Sequence, residues 1–340
     1  MRFAGGRPGV DARYRSGTGN AVHSVQGKPG RMKITFYGVR GSIPSPGPAT
    51  ASFGGNTSCV HVELKCGLHL VFDAGTGIRT LGNRLVGSDH PIQVLLTHSH
   101  WDHIQGFPFF APIHQPDREI NIFRSIPEGD SAFNGVLEQM NGHNFPVPRA
   151  ALASAVEYAK APEEFFARHD VSIRRQGLNH PGGGSAYRID EDGASLAFVT
   201  DNELEPPDVP ATSYADWVEF CADADVLIHD AQYLEDDMPH KHGWGHSLVS
   251  QVRQLAHDAR VGTVVIYHHD PERSDLEVDA ILRESEAWFE TMRSPTSCLC
   301  AWEGLEVEVL APDRKGSRFA VSGKRPAGIA DPATENFRHG

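Results

Sequence analysis

The 340-residue chain lacks a basic surplus: 31 Lys and Arg stand against 44 Asp and Glu, giving a net charge of −13 with histidine neutral. Proteins that hold a large nucleic-acid polyanion present a basic surface, so no large nucleic acid is expected as partner. A small anionic substrate is compatible with this balance. No apolar run approaches the roughly 20 residues needed to span a bilayer, and no membrane partner is expected. The opening Met1-Arg2-Phe3-Ala4-Gly5-Gly6 lacks the apolar stretch of a secretory signal. Cysteine is sparse: Cys59, Cys66, Cys221, Cys298 and Cys300 are odd in number and show no zinc-knuckle spacing. A reduced cytoplasm is therefore the expected location. Cys298 and Cys300, two apart, read as small core residues on one strand face. No internal repeat is evident, and nothing constrains the oligomeric state; a homodimer is the default.

Histidine, by contrast, is abundant at 19 residues. Four potential metal ligands crowd into Thr97-His98-Ser99-His100-Trp101-Asp102-His103, in the pattern H-x-H-x-D-H. The run before them, Ile92-Gln93-Val94-Leu95-Leu96, follows Pro91 and reads as a short buried strand. The cluster thus falls where a strand ends and a loop begins, the place where open α/β sheets carry their chemistry. His98 and His100, two apart in extended backbone, point to one side. Asp102 and His103 follow as the chain turns and can face a second metal. Imidazole and carboxylate suit zinc, and also iron or manganese.

Hydrophobic content of 39% and charged content of 22% are those of a globular protein. Residues 1–31 are rich in Gly, Arg and Ser without periodicity and read as a disordered leader. Met32 is an alternative start, and an Arg-rich targeting peptide is the weaker reading of the same segment. Residues 313–340 are polar with Gly and Pro and read as a flexible tail, which leaves 32–312 as the folded domain. Within it, strands are expected at Lys33–Tyr37, Ser58–Leu64, His69–Phe72 and residues 92–96, with a short helix ending at Leu85 and another near Asp102–Phe109. Residues 125–168 look helical and irregular, a cap over the site. Later expectations are strands at Val171–Leu178, Val226–His229 and Thr263–Tyr267, and a hairpin of Tyr187–Ile189 with Leu196–Thr200 turning at Asp190-Glu191-Asp192-Gly193. Helices are expected at Tyr214–Cys221, Ser247–Asp258 and Leu276–Met292, and two strands flank Glu303-Gly304. This mixture gives an α/β class, two mixed sheets packed face to face with helices outside.

On these residues the chain resembles the metallo-β-lactamase-fold hydrolases, over roughly residues 33–311. The resemblance rests on the His98–His103 motif and on isolated residues in the matching order, each after a strand: His180 in Gly177-Leu178-Asn179-His180, Asp201 in Phe198-Val199-Thr200-Asp201, and His268 in Val265-Ile266-Tyr267-His268. It implies an αββα sandwich. It also implies two divalent metal ions, zinc first and manganese or iron as alternatives. His98, His100 and His180 would hold one ion, Asp102, His103 and His268 the other, with Asp201 bridging. His269 competes with His268; strand alternation places His268 on the opposite face from Tyr267 and His269 and favours it. The aspartate matching Asp73 ties down the ligand loop without touching metal; a turn-forming Asp-Ala-Gly is the plain alternative.

Two further segments resemble the ribonuclease Z branch: Leu227-Ile228-His229-Asp230-Ala231-Gln232-Tyr233 and Gly243-Trp244-Gly245-His246-Ser247. By that likeness Asp230 and His246 form a dyad at a scissile phosphate, and Asp102 is counted with them in the chemistry. Asp stands at position 230 where the family usually has Glu, one methylene longer. Two metals roughly 3.5–4 Å apart lower the pKa of bound water toward about 7, and a positioned imidazolium stabilises or protonates the leaving oxygen. The plain reading of His246 is a neighbour of Ser247, which would cap the following helix. His229 and His242 read as structural.

The long Gly- and Lys-rich arm of the ribonucleases is missing, since His180 and Asp201 are joined by one hairpin. The chain is closer to armless cyclic-phosphate phosphodiesterases, which Gly38-Val39-Arg40-Gly41-Ser42-Ile43-Pro44 and Gly54-Gly55-Asn56-Thr57-Ser58-Cys59 also resemble. Asn56 and Thr57 either order the site floor or form a plain turn. Arg40 reads as an exposed loop arginine, with a phosphate contact as the alternative. The expectation is a dinuclear phosphodiesterase on a small or cyclic phosphodiester, a cyclic nucleotide among them. The alternatives are a thioesterase or lactonase, or a metal or nucleotide sensor.

Overall fold

The computed structural model describes residues 32–125, 135–310 and 319–323. The leader expected at 1–31, part of the expected cap, and most of the expected tail lie outside the described residues. The first half supplies β1 (Met32–Gly38), β2 (Cys59–Leu64), β3 (His69–Phe72), α1 (Ile78–Leu85), β4 (Ile92–Leu95), α2 (Trp101–Ile104), β5 (Glu119–Phe123), α3 (Gly135–Glu138), β6 (Ala155–Ala159) and α4 (Pro162–Ala167). The second supplies β7 (Val171–Gly177), β8 (Ser185–Glu191), β9 (Ala194–Val199), α5 (Tyr214–Cys221), β10 (Val226–Asp230), α6 (Val249–Asp258), β11 (Thr263–Tyr267), α7 (Asp275–Thr291) and β12 (Ser297–Cys300). Two last strands, β13 (Glu306–Val309) and β14 (Phe319–Ser322), return to the first sheet.

One sheet runs β14-β13-β1-β2-β3-β4-β5-β6 and the other β12-β11-β10-β9-β8-β7. Each is antiparallel at one side and parallel at the other: β3 to β6 in the first, β9 to β12 in the second. The parallel strands β4, β10 and β11 are buried at every position, as sheets covered on both faces require. Alternation sorts their side chains. Leu70 and Phe72 join the core between the sheets, whereas Val71 and Val94 join a second core beneath α1. Phe72 stacks on Phe198 at 4.6 Å between ring centres, and Phe36 meets Tyr267 at 5.9 Å. Two buried hydroxyls tie the sheets where the site hangs: Tyr187 Oη donates to the Leu96 carbonyl at 2.7 Å and Tyr267 Oη to the Gly38 carbonyl at 2.8 Å.

Several expectations need correcting. Residues 155–159, expected in a helical cap, form an edge strand, and 119–123 form the strand it pairs with. At the edge only Val156 of these five residues is buried, with Ala155 and Glu157 exposed, so a single buried apolar position marks the strand. A four-residue strand, β14, pairs with β13 inside the expected tail. The hairpin turn is only Asp192-Gly193, both at positive φ (47° and 76°), as a two-residue type I′ connection demands; Asp190 and Glu191 belong to β8. Cys59, Cys221, Cys298 and Cys300 are buried free thiols. Among the described residues no helix is long and apolar enough to cross a membrane.

Candidate metal centre

The site assembles from the C-terminal ends of β3, β4, β7, β9, β10 and β11, brought to one edge of the sandwich. Beyond β4 the chain stays extended to His100, then α2 begins at Trp101 and swings Asp102 and His103 round to the same side. Asp73, directly after β3, fastens this turn. Its carboxylate accepts from Thr97 N at 2.8 Å, from Thr97 Oγ1, from Ser58 Oγ at 3.1 Å and from His103 Nδ1 at 2.7 Å. With its Nδ1 proton committed to Asp73, His103 presents Nε2 to the cleft.

The same device recurs on other rings. His180 Nδ1 donates to the Gly245 carbonyl at 3.0 Å, and His268 Nδ1 meets Gln232 Oε1 at 2.9 Å. Both rings therefore turn Nε2 inward. His268 Nε2 lies 3.2 Å from both Asp102 Oδ2 and Asp201 Oδ1. His269 instead turns away, its Nε2 donating to the Ala301 carbonyl at 2.8 Å. His268 thus faces the donor group and His269 does not; both lie past the end of β11, and the turn at His268 (φ 57°) rather than strand alternation sets their directions.

Two groups of donors result: His98, His100, His180 and Asp201, and Asp102, His103, His268 and Asp201, each with its donor atoms within 4.8 Å of one another. Asp201 faces both. Its Oδ2 lies 3.6 Å from His98 Nε2 and 3.9 Å from His180 Nε2, while its Oδ1 lies 3.3 Å from His103 Nε2 and 3.2 Å from His268 Nε2. Asp73, Asp201 and His268, each at or just past a strand end, have φ of 60°, 56° and 57°, a left-handed backbone that costs of order 1–3 kcal/mol per residue. Tertiary contacts hold all three there.

The electrostatics fit cations. Burial opposes charge on Asp102 and Asp201, yet the surrounding histidines hold both carboxyls well below the ordinary range. Burial, aided by neighbouring imidazoles, pushes His98 far down; burial likewise pushes His180 down to about 4, so both rings are neutral at neutral pH, the ligand form of imidazole. His98 Nε2 and His103 Nε2 are buried without a hydrogen-bond partner, and His180 Nε2 converges on His100 Nδ1 at 3.0 Å. Inward-facing nitrogens that no protein group satisfies, set around carboxylates, suit divalent ions with mixed N and O ligands.

His246 stands over both groups, its ring 5.4 Å from that of His180 and 5.2 Å from that of His268. Asp230, at the end of β10, lies behind it with Oδ2 at 3.4 Å from His246 Nδ1. Burial lowers the affinity of His246 for a proton, but Asp230 together with Asp201 outweighs it and raises the pKa. The shorter Asp side chain comes within ion-pair distance, but His246 Nδ1 makes no hydrogen bond among the described residues, and the Asp230 oxygens accept from Asn202 N and Ser247 N instead. Ser247 does not cap α6: Leu248 precedes that helix, its N–H bonded to Gln251 Oε1 at 3.0 Å. Ser247 is fixed instead by its N–H to Asp230 Oδ2 at 3.1 Å and its hydroxyl to the Asn202 carbonyl at 2.6 Å. Ser42, Ser99, His100, Trp101, Asp102, Asp201 and His246 line a cleft of about 470 Å³.

Other residues singled out lie elsewhere. Arg40 is neither exposed nor at the site: it is wholly buried and donates to the carbonyls of Gly54, Asp270 and Arg273. Asn56 is clasped by Glu303, and Thr57 bonds Thr76. His229 is buried against its neighbour's carbonyl, and His242 bonds the Glu205 carbonyl. Four supporting residues escape the sequence reading. Gln232 orients His268, and Asn202 N donates to Asp230 Oδ1 at 2.9 Å. Asn179 N donates to Asn202 Oδ1 at 3.0 Å, and Glu203 accepts from Gly243 N and Gly245 N at 2.9 and 3.0 Å. Their only local signal is position, beside a candidate ligand or in the Asp230 segment; their partners are distant in the chain.

A family model described as the beta-lactamase superfamily domain matches residues 69–269. A protein named Ribonuclease Z from Thermoplasma acidophilum is 26% identical over 293 residues, covering 73% of this chain and 89% of its own. Among solved structures, the metallo-beta-lactamase fold protein YhfI from Bacillus subtilis superposes with a TM-score of 0.57 at 16% identity, over 81% of this chain and 98% of that one. A diphosphatase from the PhnP family gives a TM-score of 0.54 at 17% identity, over 81% and 97%.

Proposed function

Because the chain belongs to the beta-lactamase superfamily and is a metal-dependent hydrolase, we propose that it is a phosphodiesterase acting on a small or cyclic phosphodiester. His98, His100, His180 and Asp201 would hold one divalent ion, and Asp102, His103, His268 and the same Asp201 a second, with zinc best suited and manganese or iron as alternatives. The ions would supply Lewis-acid charge at the phosphate and an activated water.

The chain's own contribution is at the leaving oxygen. As the P–O bond breaks that oxygen gains negative charge, and His246, facing the cleft, donates a proton to it. Asp230 orients the ring and favours its cationic form. This placement, one imidazole over both donor groups with a buried carboxylate behind it, is the observation that carries the reading. Hydrolysis of a thioester, whose thiolate leaves without a proton, would leave that pair without a task.

Small substrates are favoured over RNA by two features. No Lys or Arg is among the residues lining the cleft, and a tract of phosphates would require several. The segment joining His180 to Asp201 is the β8–β9 hairpin, which extends no arm.

The purified protein is to be assayed with zinc or manganese on bis(p-nitrophenyl) phosphate and on 2′,3′- and 3′,5′-cyclic nucleotides. Metal-dependent turnover of at least one is expected, and its absence on all rejects the proposal. His246→Ala should lower phosphodiester turnover roughly 10²-fold or more with metal content unchanged. A thioesterase would keep most of its activity in that variant.

A further inference from the structure

Of the five tryptophans, two are exposed, and both belong to segments that carry site histidines. Trp101, between His100 and Asp102, lines the cleft and is 82% exposed. Trp244, two residues before His246, is 60% exposed, and Ile43 beside Ser42 is exposed as well. Trp217 and Trp302 are buried, and Trp288 is half-buried. An indole is among the most costly side chains to leave in water. In α2 the buried positions are taken by Asp102, His103 and Ile104, so the turn that aims two candidate ligands inward sets Trp101 on the cleft wall.

The cleft therefore has two unlike ends. Imidazoles and carboxylates meet the reacting phosphate, and a flat apolar face rises next to them with no Lys or Arg among the lining residues. Its volume of about 470 Å³ lies in the range of small-molecule sites. We propose that the phosphodiester carries a planar aromatic ring of nucleobase kind and that Trp101 is the specificity residue that stacks on it. This rests on the phosphodiesterase reading and names its substrate class. Stacking of a base on an aromatic side chain corresponds to about 10- to 100-fold in affinity.

The test compares two five-membered cyclic diesters that share the reacting phosphorus and differ in the base: 2′,3′-cyclic AMP and glycerol 1,2-cyclic phosphate. The wild-type holoenzyme should prefer the nucleotide. Trp101→Ala should lower the ratio of the two kcat/KM values by about 10- to 100-fold, mainly through KM for the nucleotide, and Trp101→Phe should recover most of it. A wild-type ratio near one, or a ratio unchanged in Trp101→Ala, overturns the proposal. If neither diester is hydrolysed, the phosphodiesterase reading is decided separately on the wider set of substrates above, and stacking is read by fluorescence. Adenosine monophosphate should quench wild-type emission and spare Trp101→Ala; equal quenching of both, or none, overturns it.

Discussion

Asp73 approaches neither group of donors with a free lone pair, yet the ligand loop depends on it. A carboxylate that accepts from Thr97, Ser58 and His103, wholly out of water, fixes both the loop and one imidazole tautomer. On the two-ion reading, Asp73→Ala should weaken metal binding by about 10- to 100-fold while the protein remains folded, as measured by competition with a chromophoric chelator. At this scale the residues of H-x-H-x-D-H were legible because their spacing is local. His180, Asp201 and His268 were legible only through order and strand-end placement. Arg40 misled because its partners are backbone carbonyls of Gly54, Asp270 and Arg273, invisible to any local pattern. Glu203 was missed for the same reason, since its carboxylate binds main chain 40 residues away.

Among the elements, the loop between β10 and α6 sets two rings at once. Gly245 gives its carbonyl to His180 and its N–H to Glu203, and carries a φ of 90°. A methyl group there would collide with His180 Nδ1 and crowd Pro181. Gly245→Ala should therefore displace His180 and cost at least 10-fold in turnover, with a Tm lowered by several degrees; calorimetry and kinetics on one preparation check both. Glycine was readable in this position, but not its task. Elements with strong periodicity or sharp caps were legible to within a residue, such as β3, β11, α5 and α7. The capping box of Ser274 with Glu277 marks the start of α7 in the sequence. The edge strand β6 was not, because an edge has one unpaired side and tolerates exposed residues on its face.

At the scale of the molecule, acid sensitivity has a source outside the donor groups. His61 is buried in β2, its ring stacked on His69 at 5.1 Å, with Glu63, Arg84, Lys33 and Tyr37 around it. Burial, with the nearby cationic groups, pushes its pKa from the ordinary 6.5 down to about 3. The folded state thus resists a proton that the unfolded chain accepts. The stability involved is intact above pH 6.5 and drains away as pH falls toward about 3. A loss of a few kcal/mol across that window is expected from this group, and His61→Gln should flatten the dependence of Tm on pH there. No change of slope in that variant would remove His61 as the cause. The sandwich itself was readable from alternation and from the change of strand type along the chain. The return of β13 and β14 to the first sheet was not, because no local feature says which sheet a closing strand joins.

One carboxylate turned toward two sets of nitrogens has a consequence for loading. With Oδ1 of Asp201 toward His103 and His268 and Oδ2 toward His98 and His180, on the two-ion reading the arrival of one ion would fix the side chain in the pose the other needs. Occupancy would then rise steeply, as a pair, and the half-filled protein would be the scarce species.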